Sequence, residues 1–208
     1  MPSAVASRQS AIRSALFVLC ALPAVWLVFR AVTGRLGINP VEDITLTTGI
    51  WALRFLVFTL AVTPVRRLTG WNRIIGYRRM LGLFTFFYAA LHFLTYVTLD
   101  QFFAFDLILK DIVKRPFITA GFIAFVLMIP LAITSTKGWI RRLGRKWLQL
   151  HRLIYVCGVA AAVHYLWKVK VMIGSPVYYA VAIAVLLGLR VVWQLKAARS
   201  LRAHRLGA

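Results

Sequence analysis

The chain has 208 residues, 61% of them hydrophobic, with 26 Lys or Arg against 5 Asp or Glu and a formal net charge of +21. With a mean hydropathy of +0.79, this composition excludes an ordinary soluble domain. Such a charge on a soluble protein would point to nucleic acid, but the basic residues flank apolar runs instead of gathering on one face, which excludes that partner.

A helix needs about 20 apolar residues to cross a bilayer. Six predicted spans meet that need: 15–32, 47–62, 80–99, 117–133, 148–167 and 176–192. The expected fold class is therefore all-α, an integral membrane bundle of six transmembrane helices in contact with lipid. It divides into an N-terminal segment (1–14), the transmembrane domain (15–195) and a basic tail (196–208). Arg8 and Arg13 precede the first apolar run as in a signal peptide. The run is long and Cys20-Ala21-Leu22-Pro23 is a poor cleavage site, so it reads as an uncleaved span.

Charge alternates between the connecting segments. The 64–79 loop carries Arg66, Arg67, Arg73, Arg78 and Arg79, and the 135–150 loop carries Lys137, Arg141, Arg142, Arg145 and Lys146. The tail carries Lys196, Arg199, Arg202 and Arg205. All five acids (Glu42, Asp43, Asp100, Asp106, Asp111) fall in the other set of loops. The positive-inside rule then predicts that both termini are cytoplasmic. Cys20 and Cys157 are isolated, with no C-x-x-C pair, and no internal repeat is evident.

Ionisable residues inside a membrane are costly and mark functional sites. His92 in the third span and His164 in the fifth are expected at one depth, nearer the outer face. Two neutral imidazoles facing each other in a helix bundle suit the axial ligation of a b-type haem. Zinc would need further ligands, which no inward Asp, Glu or Cys cluster supplies. His151 lies 13 residues before His164, about 20 Å along a helix and about 140° around it. The distance suits a second haem across the membrane; the angle requires a kink, a tilt or a different role, with interfacial packing as the alternative. Residue 78, where a second haem would want a partner histidine, is Arg78, followed by Arg79. These arginines with His151 could hold a haem propionate, a flavin phosphate or a quinone oxygen.

Arg54 sits inside the second span, and a buried guanidinium needs an anionic partner. A haem propionate would serve; the alternative is snorkelling to the outer surface. Arg190, near the inner end of the last span, is expected to snorkel, and His204 to be solvated. Gly76, Gly82, Gly121 and Gly158 would permit close helix or porphyrin approach. Trp51, Trp139, Trp147 and Trp167 read as an interfacial belt.

Several stretches together carry a family resemblance. They include Thr48-Gly49 through Leu60-Ala61-Val62-Thr63-Pro64 to Arg66-Arg67-Leu68-Thr69-Gly70, then Arg78-Arg79-Met80-Leu81-Gly82-Leu83 and Leu91-His92. Others are Arg115-Pro116-Phe117-Ile118-Thr119-Ala120-Gly121, Leu131-Ala132-Ile133-Thr134-Ser135 and Trp147-Leu148-Gln149-Leu150-His151-Arg152-Leu153-Ile154-Tyr155. Over roughly residues 30–195 the chain resembles the MsrQ (YedZ) family, haem-binding membrane subunits of the periplasmic protein-methionine-sulfoxide reductase system, within the ferric-reductase-like transmembrane group.

The resemblance implies a multi-pass protein of the bacterial inner membrane that binds haem b, in one copy or two, and FMN. It implies electron flow from the quinone pool or a cytosolic flavin reductase to a periplasmic molybdopterin subunit, which carries out the sulfoxide reduction. The family histidines fall on His92, His151 and His164. The chain departs from the pattern before Thr48-Gly49, where Thr45-Leu46-Thr47 stands in place of a histidine, and at Arg78. The acids of the outer loops form a candidate docking surface for the partner. Two rivals remain: a stand-alone ferric or quinone oxidoreductase, for which no nicotinamide or flavin domain is fused, and a small proton-coupled transporter, for which the spans show no inverted repeat and no acid.

Overall fold

The computed structural model describes residues 4–169 and 175–206, with side chains over 8–169 and 175–200. Its elements are α1 (Ala4–Val32), α2 (Pro40–Thr69), α3 (Arg78–Thr95), α4 (Phe105–Lys114), α5 (Pro116–Ile133), α6 (Lys137–Leu143), α7 (Arg145–Leu150), α8 (Leu153–Val169) and α9 (Ser175–Leu206). No strand occurs among the described residues. Six helical segments are long and apolar enough to cross a membrane: Arg8–Val32, Pro40–Thr69, Asn72–Asp100, Pro116–Ile133, Arg145–Val169 and Ser175–Ser200. All six predicted spans are present, and several run past their apolar runs.

Local chemistry explains the longer limits. The Asn39 side chain accepts from the Glu42 N–H, and Pro40 opens α2 with its preset φ. Glu42 and Asp43 sit in the first turn, favourable toward the positive end of the helix dipole. Gly70, at φ 71°, closes α2 with its N–H on the Arg66 carbonyl. The third span begins with a 3₁₀ turn over Asn72–Tyr77 and ends with a π turn over Tyr96–Asp100.

One end of the bundle carries all five acids, and the other carries the basic loops. At the acidic end lies α4, an amphipathic helix not foreseen from hydropathy. It is tied down by the Thr119 hydroxyl donating to the Ile112 carbonyl, by Tyr96 Oη donating to Asp111 (3.2 Å) and by the Asp111–Arg115 ion pair (3.1 Å).

The core joins α2, α3, α5, α8 and α9 around Leu56, Leu60, Cys157 and Ile183, each at most 2% exposed. The hairpins α2/α3 and α5/α8 form its centre, and α9 packs on α2 and α8. At Gly158 a Cβ would stand 3.3 Å from Leu60 and 3.6 Å from Ile183, so that glycine serves helix packing. α1 packs at the edge of α2 and α3 through Cys20, Phe55, Phe84 and Tyr88. Its Pro23 removes one backbone donor. Beside it the buried Tyr88 hydroxyl enters the α1 ladder, donating to the Cys20 carbonyl (2.8 Å) and accepting from the Ala24 N–H (3.0 Å). Phe17, Leu19, Val25, Trp26 and Val28 of α1 are exposed, as a lipid-facing helix requires.

Candidate functional site

His92 projects from α3 and His164 from α8, one from each central hairpin. His92 Nδ1 lies 2.8 Å from the Thr45 carbonyl, and His164 Nδ1 lies 2.6 Å from the Phe117 carbonyl. A carbonyl oxygen only accepts, so each Nδ1 carries the proton and donates it. Each Nε2 is then left with a lone pair, the tautomer a metal-binding imidazole needs. One helical turn beyond each carbonyl is a glycine that leaves room for the ring. A Cβ at Gly49 would stand 3.0 Å from both Nδ1 and Cε1 of His92, and one at Gly121 would stand 2.6 Å from Nδ1 of His164.

This arrangement is made twice by one pattern. Both carbonyls precede their histidines by 47 residues, and Thr45, Gly49 and His92 recur as Phe117, Gly121 and His164 at a constant shift along the chain. The absence of an internal repeat, expected from sequence, is thereby corrected: the two hairpins are repeats of the same sense. Only a few positions keep their identity, and the signal was the doubled Gly-to-His spacing.

The two imidazole centroids are 6.1 Å apart, with ring planes at 75°. Two imidazoles sharing one metal through Nε2, at about 2 Å each as in other metal–histidine sites, set their centroids about 6 Å apart. The pair therefore fits the axial ligation of a haem. Among the described residues no group of three or more His, Cys, Asp or Glu could hold a metal ion. A zinc site draws at least three such ligands from the protein, whereas a porphyrin supplies four of its own.

Arg54 is half-buried. Its guanidinium lies over the Trp51 ring, 4.6 Å from the centroid, and its Nε donates to Tyr179 Oη at 3.1 Å. No carboxylate pairs with it among the described residues. Its Cα is about 13 Å farther along α2 than Thr45, but the side chain reaches back toward the acidic end. Tyr179 in turn lies 6.2 Å, ring to ring, from Tyr165, the neighbour of His164 in the chain.

At the basic end the fifth span is not one helix. α7 stops at Leu150, and His151 occupies the turn before α8, so the helical angle predicted between His151 and His164 does not apply. Trp147 stacks on His151, with centroids 3.9 Å apart, and its Nε1 donates to the Thr134 carbonyl at 2.9 Å. Trp147 thus packs on a histidine, and Trp51 packs under Arg54 and against Phe55 and Tyr88. His151 Nε2 lies 3.0 Å from Thr134 Oγ1, whose own proton goes to the Pro130 carbonyl at 2.6 Å. His151 therefore donates through Nε2, the nitrogen that His92 and His164 keep free.

Around His151 the site is cationic. Arg78, at the start of α3, is half-buried, whereas Arg79 is exposed. Arg190 does not snorkel as expected. It is 7% exposed, its NH2 group donates to the Leu60 carbonyl at 2.5 Å, and its guanidinium lies 4.9 Å from the Tyr155 ring centroid. Its face of α9 meets α2, which hydropathy along α9 alone could not reveal.

The acids are partly committed. Asp43 pairs with Arg30 at 2.6 Å and accepts from the Gly37 N–H, and Asp111 pairs with Arg115. Glu42, Asp100 and Asp106 remain exposed.

A family model described as "Ferric reductase like transmembrane component" matches residues 48–162, a stretch that includes His92 and His151 and stops just short of His164. The chain is also similar to proteins named "Protein-methionine-sulfoxide reductase heme-binding subunit MsrQ". The relative from Herminiimonas arsenicoxydans is 52% identical over 88% of this chain and 85% of its own. That from Ralstonia nicotianae is 53% identical over 91% and 88%, and that from Rhodospirillum rubrum 48% identical over 92% of each. No solved structure matches the chain. Identity near one half over nearly the full length of both partners establishes that this chain belongs to the MsrQ family, within the ferric-reductase-like transmembrane proteins.

Proposed function

We propose that the protein is a membrane b-type cytochrome, the haem-binding subunit of a protein-methionine-sulfoxide reductase system, with His92 and His164 as axial ligands. The observation that carries this reading is the pair of imidazoles with centroids 6.1 Å apart, each fixed by a backbone carbonyl in the tautomer that frees Nε2. A bound haem would supply reversible one-electron chemistry at a potential set by its ligands and burial. The chain holds the ligands rigid through Thr45 and Phe117, keeps space for them at Gly49 and Gly121, and surrounds them with apolar helices. Arg54, already oriented by Trp51 and Tyr179, offers its remaining donors to a haem propionate.

In this reading the basic end and both termini face the cytoplasm of a bacterial inner membrane, in accord with the positive-inside rule. Electrons enter there from the quinone pool or a cytosolic flavin reductase. They leave at the acidic end to a periplasmic molybdopterin reductase subunit, for repair of oxidised periplasmic proteins. The basic end holds a second cofactor, FMN or a second haem, at His151, Arg78 and Arg79. Sulfoxide reduction takes place on the partner.

The test is a reduced-minus-oxidised visible spectrum of the detergent-purified chain, with haem and flavin quantified per chain. A six-coordinate b-type spectrum is expected. A folded, haem-free protein would overturn the reading.

A further inference from the structure

Arg190 is the most anomalous side chain in the bundle. It is 7% exposed, and its NH1 group is buried with no hydrogen-bond partner. A buried donor without an acceptor costs roughly 1–3 kcal/mol, more when charged, and a buried guanidinium without a counter-charge is more costly still. Its existing neighbours do not remove that cost. The Leu60 carbonyl takes NH2, and the Tyr155 ring takes one face. No acid pairs with it among the described residues.

A second cation, Arg78, stands half-buried at the start of α3, at the same basic end of the bundle. A buried guanidinium with a free donor favours an anion beside it, and a further arginine at the same end adds to that attraction. A water molecule would satisfy NH1 but would not neutralise the charge. An oxyanion would do both, since a guanidinium donates in a planar fork that matches phosphate or carboxylate.

Depth fixes what such an anion could belong to. Leu60 lies 15 residues beyond Thr45 on α2, and Arg190 lies 15 residues beyond Ser175 on α9. Each interval is about 22 Å of helix, against an apolar layer of about 30 Å. The Arg190 guanidinium is thus near the basic face but inside the bundle, between α2, α8 and its own α9.

We propose that Arg190, together with Arg78, binds the oxyanion of a cofactor seated at the basic end: a phosphate or a carboxylate. This rests on the reading above that the basic end holds a second cofactor. The two sources of such a group there are the phosphate of a flavin mononucleotide and the propionate of a haem.

The experiment uses the full-length chain purified in detergent as wild type, Arg190→Gln, Arg190→Lys and Arg78→Gln. Haem per chain is quantified, and FMN and riboflavin are titrated by flavin fluorescence. If the source is phosphate, wild type binds FMN at least tenfold more tightly than riboflavin. Arg190→Gln then erases that difference without weakening riboflavin, a selectivity that a merely structural role would not produce. If the source is a propionate, wild type holds two haems, and Arg190→Gln loses one while the His92/His164 spectrum persists. Arg190→Lys, which keeps the charge without the fork, is expected to be intermediate. It also serves as the folded comparison should the glutamine variant fail to fold.

Unchanged haem count together with unchanged FMN selectivity in Arg190→Lys and Arg78→Gln would overturn the anion site. A wild-type chain that selects FMN through Arg190 but holds no haem would support the anion site and defeat the cytochrome reading instead.

Discussion

The two ends of the bundle solve the problem of polar groups in a membrane in opposite ways. At the acidic end the pattern is symmetric and uncharged: each hairpin contributes one histidine, one carbonyl that orients it and one glycine that makes room. At the basic end the repeat breaks down. The position that is His151 in the second hairpin is Arg79 in the first, and the cluster that forms there is cationic and asymmetric. In the proposed reading, the repeat holds where both halves present the same ligand to one centre. It lapses where the site must attract charge.

The most disruptive test of that contrast removes one ligand. His92→Ala or His164→Ala is expected to abolish most haem binding, whereas His151→Ala should leave the acidic-end haem in place. Reduced-minus-oxidised absorbance per folded chain checks this, and full retention of haem in both of the first variants would end the ligand assignment. The glycines sharpen the symmetry into a ranking. Gly121→Ala meets His164 at 2.6 Å and Gly49→Ala meets His92 at 3.0 Å, so the first should lose more haem and more thermal stability. Overpacking of this kind costs about 1–3 kcal/mol; equal effects would show that the two halves relax differently from their resting geometry.

A smaller effect is expected at the other end. Thr134→Val removes the partner of His151 Nε2 and should weaken packing at the α5–α7 junction by about 1 kcal/mol, with no change in the acidic-end haem spectrum. A shifted spectrum would mean that the two ends are coupled. The smallest change should come from Tyr88→Phe, because the Cys20 carbonyl and the Ala24 N–H lie one helical turn apart and can pair with each other. A stability loss below about 1 kcal/mol with unchanged haem content is expected in thermal unfolding; loss of haem would place α1 inside the site and not beside it.

Much of this was legible in the sequence, for physical reasons. Six apolar runs and an alternating charge pattern read directly as six spans, because lipid leaves the backbone few alternatives. The histidines stood out because they are costly where they lie. The short α4 was not legible. Its apolar residues follow a helical face of ten residues, too few to register as a span. The π turn before it was equally silent. Within the site, Thr45 and Phe117 act through their carbonyls, so their side chains gave no signal. Arg190 was misread because snorkelling or burial depends on which neighbour its helix face meets.

The hydroxyl of Tyr88 inside α1 has a consequence for biogenesis. During synthesis α1 reaches the membrane before α3 exists. Alone in lipid, the Ala24 N–H would close on the Cys20 carbonyl, its ordinary partner one turn back, since an open pair there costs several kcal/mol. When α3 arrives, its Tyr88 hydroxyl joins both groups, donating to the Cys20 carbonyl and accepting from the Ala24 N–H. The first span to be made is therefore not finished first: its last polar contacts wait on a residue translated some sixty positions later, in the hairpin that carries His92.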